Sequence, residues 1–137
     1  MKKINMGELI DFLVGMYLVD ITNEKIVVED SRDVQYTFTY ECVDDGCTCT
    51  YADIESNIVM DISQKPLISK IEICGSHDPK KSGSFLKMTI FGEYRPTYDH
   101  REIANVEYCA GSSGWRYGST VTIVCEKLKL REVIVKY

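Results

Sequence analysis

Between Val34 and Cys42 the chain alternates without interruption. Tyr36, Phe38, Tyr40 and Cys42 fall on one side, and Gln35, Thr37, Thr39 and Glu41 on the other. A period of two is the mark of an extended strand with one buried face, and no helix accommodates it. Similar runs recur along the chain, separated by short turn-forming clusters. Met16–Ile21 and Ile26–Glu29 flank the turn Thr22-Asn23-Glu24-Lys25, and Asp30-Ser31-Arg32-Asp33 leads into the alternating segment. Asp44-Asp45-Gly46 then turns the chain into Cys47–Tyr51, which predicts a second hairpin and an opening meander of four to five strands.

Two segments break this pattern. Asn5 stands where a helix cap is expected, with Glu8 three residues on, and Met6, Leu9, Ile10, Phe12 and Leu13 recur at helical spacing before Gly15. This predicts an N-terminal helix. A short internal helix is predicted over Asp53–Met60, started by Asp53 and closed before Lys65-Pro66. Further strands are expected at Ile68–Cys74, Phe85–Tyr94, Ile103–Cys109, Trp115–Cys125 and Val133–Tyr137. Glycines and serines around Asp78-Pro79-Lys80-Lys81 make Gly75–Ser84 read as a mobile loop, and Arg95–Glu102 as a polar one. The expected fold class is mainly β (α+β): an antiparallel β-sandwich or meander with an N-terminal helix and one short internal helix. The 137 residues contain no repeat or linker, so residues 1–137 are expected to form a single domain.

The charge balance narrows the partners. Sixteen basic against 21 acidic residues give a net charge of −5, the wrong sign for binding long nucleic acid. Phe12–Val19 is the longest apolar stretch, too short to span a membrane and interrupted by Gly15. Glu8 and Asp11 break up what would otherwise resemble a secretion signal after Lys2 and Lys3. The chain therefore reads as cytoplasmic, and its six cysteines as reduced thiols packed in strands.

Candidate chemistry is sparse. Cys42, Cys47 and Cys49 lack the second short-spaced pair that a zinc site wants, so core packing is the preferred reading and no metal is expected. His77 and His100 lie in predicted loops among charged residues, and no local motif marks a nucleophile. Neither a catalytic residue nor a cofactor is expected. Gly111-Ser112-Ser113-Gly114 offers backbone N–H groups that suit a phosphate, although a plain hairpin turn is the preferred reading. More informative is the strand from Phe85. Leu86, Met88 and Ile90 form a core face, leaving Phe85, Lys87, Thr89 and Phe91 opposite. A ring beside a cation on a non-core face suits a stacked base with a neutralised phosphate. Trp115 and Arg116, just beyond the Gly/Ser turn, repeat the combination. A two-sided strand, or a subunit interface, is the alternative.

Taken with Lys25–Ser31, Tyr36–Tyr40, the hairpin ending Tyr51-Ala52-Asp53-Ile54, and Pro66-Leu67-Ile68, the stretches Ser84-Phe85-Leu86-Lys87 and Ala110–Trp115 resemble the first-described family of phage Thoeris anti-defence sponges. The resemblance covers most of residues 9–125 through short, degenerate motifs. It implies a non-enzymatic homo-oligomer that sequesters a cyclic nucleotide immune signal, a cyclic ADP-ribose isomer or cyclic oligonucleotide. It also implies ligand-binding roles for Phe85 and Lys87, while Ser113, Trp115 and Arg116 are candidates from the Gly/Ser turn and the ring-and-cation pair beyond it. The family pattern has an arginine where Glu107 falls and an asparagine where Ser113 falls. A glutamate reverses the interaction with a phosphate, so either the ligand differs, or Arg101 or Arg116 supplies the charge from elsewhere, or the activity is lost in this chain. A protein-binding inhibitor or immunity-type protein, acting through an acidic surface, is the alternative function.

Overall fold

A computed structural model describes residues 2–44, 50–78, 83–94, 99–112 and 119–136. The elements run β1 (Lys2–Lys3), α1 (Met6–Leu13), β2 (Tyr17–Ile21), β3 (Lys25–Glu29), β4 (Gln35–Asp44) and β5 (Thr50–Ile58). They continue with β6 (Ile68–Asp78), β7 (Gly83–Tyr94), β8 (Asp99–Ser112), β9 (Ser119–Cys125) and β10 (Leu130–Lys136). Sheet one has the order β1-β10-β9-β4-β3-β2, and sheet two the order β5-β8-β7-β6. All pairings within the sheets are antiparallel except β1 with β10. The fold is a mainly β antiparallel arrangement of two sheets with a short N-terminal helix.

The alternating segment becomes β4, at the centre of sheet one between β3 and β9. Its inward residues pack as the pattern requires: Phe38 is fully buried, and Tyr36 and Tyr40 lie against the same core. Leu18, Ile26, Val28, Val121 and Ile123 join from sheet one, and Met88, Ile90, Val106 and Tyr108 from sheet two. Burying each large apolar side chain contributes roughly 1.5–3 kcal/mol, which is why this one shared core fixes the strand registers.

The helix forms as its cap predicts. The Asn5 Oδ1 accepts the Glu8 N–H at 2.8 Å, and the Asn5 Nδ2 donates back to Glu8 Oε1 at 2.9 Å. Leu9 and Leu13, one turn apart, are buried in the core. Gly15 adopts φ +93°, a conformation that side-chain-bearing residues rarely reach, and its N–H donates to Ile68 O at 2.8 Å. That bond stitches the end of the helix to the start of β6.

Three expectations about the secondary structure need correction. Asp53–Met60 is no helix: most of it is β5, which pairs with β8 from Thr50↔Ser112 to Ile58↔Ala104. The segment is itself alternating, with Ala52 and Ile54 packed against the core and Asp53, Glu55 and Asn57 at the intervening positions. That periodicity prevails over the capping signal of Asp53, and Ser56 and Asn57 are poor helix formers. Secondly, β4 and β5 form no hairpin, since they belong to different sheets. The meander therefore ends at β4. Thirdly, strand structure reaches further than the turn-rich composition suggests: β6 runs on to Asp78, β7 begins at Gly83, and β8 spans Asp99–Ser112. Residues 45–49, 79–82, 95–98 and 113–118, which hold Cys47, Cys49 and most of the Gly/Ser turn, lie outside the described residues.

The cysteines also differ from expectation. Cys125 alone among the described ones is fully buried; Cys109 is half-buried, and Cys42 and Cys74 are exposed. All four are free thiols.

Candidate functional site

β7 is two-sided, as its sequence requires. Met88 and Ile90 are buried and Leu86 packs beside them, while Phe85, Lys87, Thr89 and Phe91 are half-buried. Register extends the Phe85 side across the whole of sheet two. One row holds Asp53, Cys109 and Phe85; the next holds Glu55, Glu107, Lys87 and Cys74; a third holds Asn57, Asn105, Thr89 and Glu72. This is the face turned away from the core.

Lys87 does not stand alone on it. Its Nζ lies 3.8 Å from Glu107 Oε1, with both side chains 38% exposed. Such a long, half-exposed pair contributes about 0–1 kcal/mol. Glu55 stands directly across from Glu107, and Asp53 across from Cys109, so carboxylates accumulate toward the β5 edge. Burial first, then Glu107, Asp53 and Glu55, push the Cys109 thiol up, and burial followed by Asp53 does the same for Cys42. Both sulfurs are held as neutral thiols, the opposite of what a nucleophile needs. Asp53, Glu55, Glu107, Cys109 and Asn23 line an open hollow of about 370 Å³. Asn23 reaches it from the β2–β3 turn, its Oδ1 accepting from Ser56 N–H at 2.7 Å and Ser56 Oγ–H at 2.8 Å.

The structure brings together two of the sequence-predicted ligand residues, Phe85 and Lys87, on one face. Arg101 is not with them. It pairs in register with Gly92, seven residues along β7 from Phe85, which is about 24 Å at the rise of a strand. It is exposed and already engaged within the fold. Ser113, Trp115 and Arg116 lie outside the described residues. The strand ends that flank them are described. Gly111 pairs with Gly83, Ser112 with Thr50, Asp78 with Gly83 and Asp44 with Ser119, and Ser119 Oγ–H donates to Gly111 O at 3.2 Å. Six strand ends from both sheets therefore meet at one end of the molecule, the end nearer Phe85.

A larger hollow, of about 660 Å³, sits toward the other end, among Tyr17, Asp61, Lys65, Pro66, Leu67 and Glu93. Apart from the Lys65-Pro66 break, no local motif points to it. Pro66 O accepts from Leu18 N–H at 2.9 Å, and Leu67 O accepts from Glu93 N–H at 3.3 Å, so this connection bridges β2 and β7. Lys65 adopts φ +50° and extends its Nζ to within 2.8 Å of Glu29 Oε2, a carboxylate only 7% exposed. The Glu29 hydrogen bond and charge raise the Lys65 ammonium above its ordinary value.

Among the described residues, no group of three or more His, Cys, Asp or Glu is arranged to hold a metal ion. No helix among them is long and apolar enough to cross a membrane. Comparison with protein-family models, curated proteins and solved structures finds no match to this chain.

Proposed function

We propose that this protein is a non-enzymatic sponge that captures a cyclic nucleotide signal at the Phe85 end of sheet two. The ligand class is a cyclic ADP-ribose isomer or a cyclic oligonucleotide, as the sequence resemblance implies, and capture in a bacterial cytoplasm would block anti-phage signalling. The observation that carries this reading is the meeting of six strand ends beside Phe85 and Lys87. The chain segments that leave and re-enter at those ends hold Lys80, Lys81, Trp115 and Arg116. Rings that stack on a base and cations that neutralise a phosphate are what a nucleotide requires. The loose Lys87–Glu107 pair can open for a phosphate at little cost. Arg101 has no part in this site within one chain, and a homo-oligomer is the one setting in which it could approach.

The test is capture and release. The protein is incubated with cyclic ADP-ribose isomers and cyclic oligonucleotides, the unbound fraction is chromatographed, and the complex is then heated. Depletion followed by recovery of intact ligand supports a sponge. Conversion to a new product would mean an enzyme. No depletion of any nucleotide overturns the reading.

A second reading is a protein-binding inhibitor that acts through an acidic surface. Asp53, Glu55 and Glu107, clustered on adjacent strands around the 370 Å³ hollow, favour it, because such a row attracts a basic partner and repels a phosphate.

A further inference from the structure

We propose that the hollow of about 660 Å³ between β2, β7 and the β5–β6 connection is a receptor for an arginine side chain of a protein partner. It lies at the opposite end of sheet two from the nucleotide site and does not depend on it. Tyr17 supplies an aromatic wall, 36% exposed although its strand is fixed by pairing with Glu29 and Leu67. Pro66 and Leu67 supply an apolar floor for the methylene stem. Asp61 and Glu93 supply two carboxylates at the wall.

The charge count decides the sign of the ligand. Lys65 is the only basic lining residue among those described, and it is committed: its Nζ is paired with Glu29, and Asp33 also acts on it. Asp61 accepts the Ser63 N–H at 2.9 Å, and that bond and a second one from the Ser63 side chain hold its carboxyl below the ordinary value. Asp61 and Glu93 have no ion pair among the described residues, so the hollow carries excess negative charge. An anion is repelled here. A cation gains from both carboxylates and from the face of the tyrosine ring. Arginine suits the site better than lysine, since its flat guanidinium stacks on a ring while its N–H fork reaches carboxylates. Gln64, also at the wall, offers a carbonyl acceptor for a remaining N–H. A net acidic protein with a preformed guanidinium site fits a basic protein partner whose arginine projects from its surface.

Nitrogen-15 NMR of the full chain, titrated with N-acetyl-arginine amide, tests this directly. Citrulline amide, which has the same shape without the charge, is the control. Arginine amide should shift the amide signals of Gln64, Lys65, Leu67 and Glu93, saturating in the range of roughly 1–20 mM expected for one side chain. Citrulline amide should leave them in place. The double variant Asp61→Asn with Glu93→Gln keeps the hydrogen-bond acceptors and removes both charges. It should weaken the arginine response about fivefold or more while the remaining spectrum is unchanged. Equal shifts with citrulline, an unweakened response in the double variant, or no shift of these signals in the wild type would each overturn the proposal.

Discussion

The hydroxyl oxygens of Tyr40 and Tyr108 meet 2.7 Å apart between the two sheets, with their rings crossed at 71°. Tyr40 comes from β4 and Tyr108 from β8, so the contact ties the centre of sheet one to the centre of sheet two. Tyr108 is fully buried, and removing its hydroxyl leaves that of Tyr40 without its partner. Tyr108→Phe should therefore cost about 1–2 kcal/mol in urea unfolding. Changing both to Phe should cost less than the sum of the single changes, because no orphaned hydroxyl remains. An additive double variant would show that the two groups act independently.

The same pair sets an alkaline limit. Burial is the main cause that raises both phenols, with Tyr40 adding to the effect on Tyr108. Each stays protonated in the fold at pH values where the unfolded chain, with a phenol pKa of about 10, already ionises. The unfolded state then binds fewer protons, so stability is intact below about pH 10 and falls as pH rises above it. Thermal unfolding followed at pH 8–11 should show this decline, and a smaller one in the double Phe variant.

Glu132 behaves in the same direction at acid pH. Its Oε2 is buried without a hydrogen-bond partner among the described residues, and burial raises its carboxyl, with Lys3 opposing and Glu8 reinforcing. A folded-state pKa above the ordinary 4.5 means that the fold takes up the proton first. The penalty is complete at neutral pH, is relieved as pH falls through the folded value, and vanishes below the unfolded one. Glu132→Gln should leave stability unchanged or raise it by up to about 0.5 kcal/mol at pH 7, an effect limited by the group's partial exposure to water. A clear loss of stability would mean that the carboxylate has a partner in solution.

Asn23 covers part of an exposed sheet edge. By accepting from both the N–H and the hydroxyl of Ser56, it occupies a donor on β5, the outer strand of sheet two. Uncapped strand edges recruit other chains. Asn23→Ala should cost about 1 kcal/mol of stability and increase the concentration dependence of the sedimentation coefficient. Unaltered sedimentation would assign Asn23 a purely local role.

Lys87→Glu should abolish capture of a cyclic nucleotide with little effect on folding, because the pair it breaks is loose. Glu107→Arg should strengthen capture, since it places a second cation beside Lys87 on this face. Capture unchanged in both variants would remove this face from the site.

The legible parts of the fold were those set by local periodicity. Alternation in Gln35–Asp44 and the Asn5–Glu8 cap each specify an element unaided, and the residues around Gly15 mark the end of the helix. The segment Asp53–Met60 misled because a capping residue and a proline boundary bracket it, while its alternation is weakened by Ser56 on the inner side. What local signals cannot convey is partnership. Nothing near Asp44 announces that β4 will pair with β9, 85 residues away at Thr39↔Val124, or that the next strand crosses to the other sheet. The site shows the same division. Alternation put Phe85 and Lys87 on one outer face, but cross-strand register decided that Glu107 would face Lys87 and that Arg101 would lie far from both. The Tyr17–Glu93 hollow is assembled from three distant segments, so no window of sequence contains it.

The placement of β9 and β10 between β4 and β1 has a consequence for biosynthesis. During translation β4 is made early, yet its second neighbour appears only when residues 119–125 leave the ribosome. Until then a ten-residue strand rich in tyrosine and threonine waits with one backbone edge unsatisfied. A nascent chain of this kind is most exposed to misassociation late in its synthesis, and chaperone dependence should track the delay before its closing strands arrive.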